Sequence, residues 1–243
     1  MPPLANSDAS ITNLCALLTS CGDKDTILGA LEDPIADHAY SVSVQDAVQS
    51  ISDNITLSEL LKMSSQIRLS RKQSYAIALA IASSHLQFLS TAWNMDGWTS
   101  RDVCFPIVGQ IPQLHQPYVS AKFEDPGSPS HRTPTAAASN RTFAALGIML
   151  LELCGRRSIE ESEWWSKLGF NESQKSQSLF RLIVAAKWSE EIELDEGDKI
   201  ASVIKWCLHE SPKILEGETW RRDLAERVVL PIQSCCQYLS GAA

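Results

Sequence analysis

Basic charge is in short supply in this chain. Lys and Arg number 21 against 29 Asp and Glu, for a formal charge of −8 over 243 residues. Nucleic-acid binders usually carry a basic stripe, so DNA and RNA are not expected partners. Long hydrophobic runs are missing too. The longest clean one, Phe143–Leu151, is about half of what a membrane span needs. The first residues, MPPLANSDAS, show neither a basic nor an apolar leader region, and no targeting segment is expected. The seven cysteines form no CxxC pair, and no histidine stands at zinc-finger spacing from them. Chemistry-bearing motifs are equally sparse. The chain has no HExxH, no GxSxG elbow and no D-x-[DN]-x-[DN]-G calcium loop. A reduced cytoplasmic protein with no metal and no cofactor is the expectation.

What the chain does contain is helical patterning. Thr56 and Glu59 are spaced as a capping box ahead of Leu57, Leu60, Leu61 and Met63. Ser70 and Gln73 repeat the device. After them Tyr75, Leu79, Ala82, Leu86 and Leu89 recur at three- and four-residue steps, one apolar stripe on a long amphipathic helix. Thr142–Cys154 (TFAALGIMLLELC) is apolar almost all round and predicts a helix at the centre of a bundle, ended by Gly155. Helices are also predicted over Glu160–Leu168 and Ser176–Ala186, around Ile200–Leu208, and over Glu218–Leu239 with a break near Pro231. The run Glu190–Asp198 holds six carboxylates and no base, and reads as a solvated loop.

Outside these helices the signals thin out. Residues 1–55 are weakly patterned, with a short helix expected at Ile11–Leu18 and a strand at His38–Val44. Residues 92–123 read as loop and short strands. Residues 124–141 (EDPGSPSHRTPTAAASNR) have almost nothing to bury and read as a flexible loop. Its Ser128, Ser130, Thr133 and Thr135 are candidate phosphorylation sites, with Arg132 and Arg141 as pairing partners. Aromatic residues anchor interfaces, which makes Trp93, Trp98, Trp164 and Trp165 candidate interaction residues.

The order of these segments resembles the C-terminal lobe of a protein kinase. ITLSELLKM is similar to the helix after the hinge, and the long helix ending in LQFLS to the one before the catalytic loop. TFAALGIMLLELCGR is similar to the central hydrophobic helix, and IASVIKWCLHESP to a later one. More narrowly, LQFLSTAWNMDGWTSRDVCF and FAALGIMLLELCGR resemble the marks of a family of fungal kinase-like domains. These occur beside prion-inhibition and heterokaryon-incompatibility modules. The match spans about residues 56–240.

Carried over residue by residue, the resemblance implies a degenerate catalytic loop. A gapless register places the HRD triplet on Met95, Asp96 and Gly97, so glycine stands where the catalytic base belongs. The magnesium-binding Asn falls on Asp102. A shifted register aligns Ser100-Arg101-Asp102 with HRD and makes Asp102 the base. No DFG, glycine-rich loop or V-A-I-K lysine occurs, and Thr142 replaces the Asp that opens the central helix motif.

The expectation is a mainly α, kinase C-lobe-like helical domain over 56–243, with a small α/β segment over 1–55. Its function would be that of a pseudokinase: protein–protein interaction or regulation in fungal self/non-self or immunity-type signalling. The face shared by the Leu57–Met63 helix and the Trp93–Trp98 loop would be covered by a protein partner, by a second copy or by residues 1–55 of the chain itself. The alternative is a divergent phosphotransferase using Asp102, or another enzyme activity.

Overall fold

The computed structural model describes residues 27–33, 38–43, 53–62, 67–89, 97–120, 136–169, 177–210 and 219–241. They belong to two units, Met1–Ser50 and Ile51–Ala243. Among the described residues the protein is mostly helical, with a small antiparallel sheet.

The first unit contains one antiparallel hairpin. Strand β1 (Ile27–Asp33) pairs with β2 (His38–Ser43), with Leu31 opposite Tyr40 and an irregularity at Gly29. The alternating text of β2 predicted a strand, and its partner ILGALED carried no such signal. The helix expected at Ile11–Leu18 lies outside the described residues.

The second unit opens on β3 (Asp53–Thr56), which runs directly into α1 (Leu57–Lys62). Glu59 accepts from the Thr56 amide at 2.9 Å, and the Glu59 amide donates to the Thr56 hydroxyl at 3.1 Å, closing the first capping box. The second closes the same way at Ser70 and Gln73 and starts α2 (Arg71–Phe88). Each box satisfies two amides that a helix start leaves without partners, worth about 1 kcal/mol per cap.

Strand β4 (Val103–Val108) pairs with β3, with β5 (Ile111–Pro112) and with β6 (Tyr118–Val119), all antiparallel. Helix α3 (Ala136–Gly155) is the centre of the unit, packing on α2, on α5 (Gln177–Glu196) and on α6 (Asp198–Lys205). Phe143, Leu146, Leu151 and Leu153 are completely buried. Each such side chain contributes about 1.5–3 kcal/mol on leaving water.

Several boundaries differ from the expectation. Helix α3 begins at Ala136, so the last six residues of the expected loop 124–141 are helical, as the helix-favouring text AAASNR allows. The rest of that loop, with Ser128, Ser130, Thr133 and Thr135, lies outside the described residues. Gly155 does not end the helix by taking a left-handed conformation; Arg156 does, at φ 53°. Gly155 instead admits the Trp188 ring, whose Cη2 would stand 2.7 Å from a Cβ there. The acidic run is no loop either: Glu190–Glu196 forms the last two turns of α5, and Gly197 separates it from α6.

The carboxyl-terminal helices carry two wide turns. Residues Trp206–Glu210 continue α6 as a π turn, and Ala225–Val229 forms another between α7 (Thr219–Leu224) and α8 (Leu230–Leu239). The second lies just ahead of Pro231. Proline has no amide to donate and its ring crowds the carbonyl four residues back, so the preceding turn widens. A 3-10 turn (Ile159–Glu161) and the short helix α4 (Glu163–Leu168), capped by Ser162, replace the single helix expected at 160–168.

Candidate functional site

The residues that the kinase-like register singles out lie between α2 and the start of α3. Gly97 has φ +79°, and a Cβ there would meet the Thr142 Cα at 3.0 Å. A side chain at this position would therefore be strained by the backbone and crowded by the central helix. Met95, Asp96 and Trp93 lie outside the described residues.

Asp102 closes a tight turn on itself. Its Oδ2 accepts from both the amide and the hydroxyl of Thr99, each at 2.8 Å, while its own amide donates to the Thr99 carbonyl at 2.9 Å. Further bonds tie the turn down: the Ser58 amide donates to the Ser100 carbonyl at 2.7 Å, and the Ser120 amide to the Asp102 carbonyl at 2.9 Å. Ser100 is buried. Asp102 thus does the work of a capping residue for the segment that leads into β4.

Trp98 is 6% exposed and is not a surface aromatic. Its ring and that of His85 meet edge to face, centroids 4.8 Å apart at 79°. His85 is completely buried, and its Nδ1 lies 3.0 Å from the Ile81 carbonyl. That carbonyl can only accept, so Nδ1 carries the proton and Nε2 is left without a partner. Burial pushes the imidazole down to about 4, so it is neutral at pH 7. The expected open apolar face is also closed along α1, where Leu57, Leu60 and Leu61 are buried.

The second aromatic pair is placed differently. Trp164 and Trp165 are both half-buried on α4. Trp165 sets its ring against Phe180 of α5 at 4.8 Å and 79°, and Lys167 Nζ sits 4.9 Å above the Trp164 ring. Consecutive helical residues point about 100° apart, so one ring braces α5 while the other holds a cation. Nearby on α5, Leu179 and Ile183 stand one turn apart and are 56% and 46% exposed.

Two buried carboxylates escaped notice in the sequence. Glu152, in the last turn of α3, takes the Ile159 amide at 3.0 Å and Arg181 at 3.3 Å. Arg181 also pairs with Glu160. Burial is the largest influence on the Glu152 carboxyl and holds it above the usual range, with Arg181 opposing. Glu196, at the end of α5, takes the Tyr75 hydroxyl at 2.7 Å, Arg71 Nε at 3.0 Å and Arg156 at 3.5 Å. Burial and that hydrogen bond push the Tyr75 hydroxyl well up. A single charged residue inside an apolar helix, as at Glu152, is the one signal that could have revealed such a node.

The remaining chemistry is sparse. Among the described residues no three His, Cys, Asp or Glu side chains gather as a metal site, and no helix is long and apolar enough to cross a membrane. Cys104, Cys154 and Cys207 are buried, and burial raises each thiol above its usual range.

A mostly helical unit, closed by a small antiparallel sheet and carrying a tied-down turn where a catalytic loop was expected, is the class of protein these features define. The chain belongs to the family described as a domain of unknown function, DUF7580, whose model matches residues 4–234. No curated protein matches the chain.

Proposed function

We propose that this protein is a catalytically inactive, kinase-like domain that works by binding other proteins. The observation that carries the reading is the state of the loop at 97–102. Glycine occupies the position of the base in the gapless register, in a left-handed conformation hard against Thr142. The neighbouring acid, Asp102, has its Oδ2 committed to two donors of its own turn. Phosphoryl transfer works by positioning and charge neutralisation; glycine brings no carboxylate to it, and the Asp102 Oδ2 is already held by its own turn. The contact between Gly97 and Thr142 also suits the resemblance, which assigns these positions to the catalytic loop and to the head of the central helix. An interaction role is supported by the exposed pair Leu179 and Ile183 beside Trp164 and Trp165. The resemblance suggests fungal self/non-self or immunity-type signalling in the cytoplasm.

The test is an ATP hydrolysis and autophosphorylation assay with magnesium. The full chain should show no activity above background. Gly97→Asp, which restores the base of the register, should stay inactive and lose about 1–2 kcal/mol of stability, as a non-glycine residue does in a left-handed position. Autophosphorylation that disappears in Asp102→Ala would overturn the reading and promote the phosphotransferase.

A further inference from the structure

A cavity of about 260 Å³ lies between the second half of α2 and the sheet. Ala80, Ile81, Ser84 and Phe88 form one wall, and Val103, Tyr118 and Val119 the other; Trp98 and Pro117 complete it. No charged residue is among these. Ser84 is the only aliphatic hydroxyl, and it already donates to the Ala80 carbonyl at 2.9 Å. Large apolar side chains remain open to water here, with Phe88 36% and Tyr118 41% exposed.

Each of these features narrows the occupant. A cavity whose lining holds no charged residue compensates an ion poorly for its lost hydration. Phosphates, nucleotides and carboxylates therefore suit it poorly. Apolar cavities of about 150 Å³ already hold a benzene ring, so this one is large enough for two fused rings. Three aromatic residues in the lining offer ring faces and edges for stacked or edge-on contact. Ligand pockets are mostly apolar with few polar groups, as this one is.

We infer that this cavity is a binding site for an uncharged aromatic small molecule of one or two fused rings. The site goes beyond the interaction role and does not depend on the absence of catalysis. Occupying it would cover Phe88, Tyr118 and Trp98 together, joining α2 to β6 across the ligand.

The experiment is a titration of the full-length protein with indole, followed by ligand-observed NMR. Indole-3-acetate, which adds one negative charge, is run in parallel. Indole should bind saturably. The anion should bind at least about tenfold more weakly, because its charge finds no partner. Ala80→Phe places a ring in the cavity and should abolish indole binding while the far-UV spectrum stays unchanged. Val119→Phe fills the cavity from the opposite wall and repeats the test if the first variant does not fold. No saturable binding by the wild-type protein, equal binding of the anion, or unchanged binding in a folded filled variant would each overturn the assignment.

Discussion

Asp102 and Glu196 are both acids bound by several donors, yet they hold the molecule at different ranges. Asp102 takes its side-chain bonds from Thr99, three residues away. Glu196 takes its partners from Tyr75 and Arg71 on α2 and from Arg156 just past the end of α3. The first acid shapes one turn. The second fastens the start of α2 and the end of α3 to the end of α5. Charge that closes a local turn is replaceable, because water or another acceptor can serve exposed donors there. Charge that gathers several helices onto one buried carboxylate is not.

Mutation should separate the two regions, with the largest effect at the helix junction. Glu196→Ala removes the shared acceptor of two guanidiniums and a tyrosine hydroxyl. Both arginines are partly exposed, so the loss should sit at the low end for breaking a buried pair, about 3 kcal/mol. The denaturant midpoint measures it, and a loss under about 1 kcal/mol would show that this junction is no stronger than the turn. Glu196→Gln keeps an acceptor for Tyr75 and should fall between.

At the same junction, Gly155→Ala drives a methyl group into the Trp188 ring. About 2 kcal/mol should be lost to overpacking. Trp188→Leu makes room, so the double variant should be more stable than the two single losses add up to. Additive losses in the thermal melt would mean that the ring and the helix do not compete for that space.

On the side of the turn, His85 should make stability depend on pH. Its folded value, about 4, lies below the ordinary 6.5, so the unfolded chain binds the proton first. The stability it contributes is complete above pH 6.5 and is lost as pH falls toward 4. At pH 5 the loss should be about 2 kcal/mol relative to pH 8. His85→Leu should remove this component from the profile, and identical profiles for the two proteins would refute the assignment.

The smallest effect is expected at Asp102 itself. Asp102→Ala should cost about 1 kcal/mol, as loss of a capping acceptor does, and Asp102→Asn less, since Asn still accepts from Thr99. A loss comparable to that of Glu196→Ala would erase the distinction drawn between the two acids.

The same distinction explains which parts of the structure were legible in the sequence. Both capping boxes, the long helix α2 and the central helix α3 were plain in the text, because caps and stripes involve residues within one or two turns of each other. Strand β1 was not, since its partner is supplied by pairing rather than by its own alternation. The acidic run looked solvated because nothing nearby in sequence announces that Arg71 and Arg156 converge on Glu196. Trp98 looked like an exposed anchor because its cover, His85, lies in another element. The sequence singles out Gly97 and Asp102 by their place in a register, while the His85–Trp98 contact and the cavity behind it depend on tertiary packing.

The contact between Gly155 and Trp188 also carries a historical consequence. A glycine that admits a ring cannot drift alone: any larger residue at that position requires a smaller one at the other. In descendants of this chain the two sites should change together or not at all. A lineage with alanine or serine in place of Gly155 and tryptophan retained at 188 would have to shift α5 away from α3 and take the Glu196 ion pairs with it.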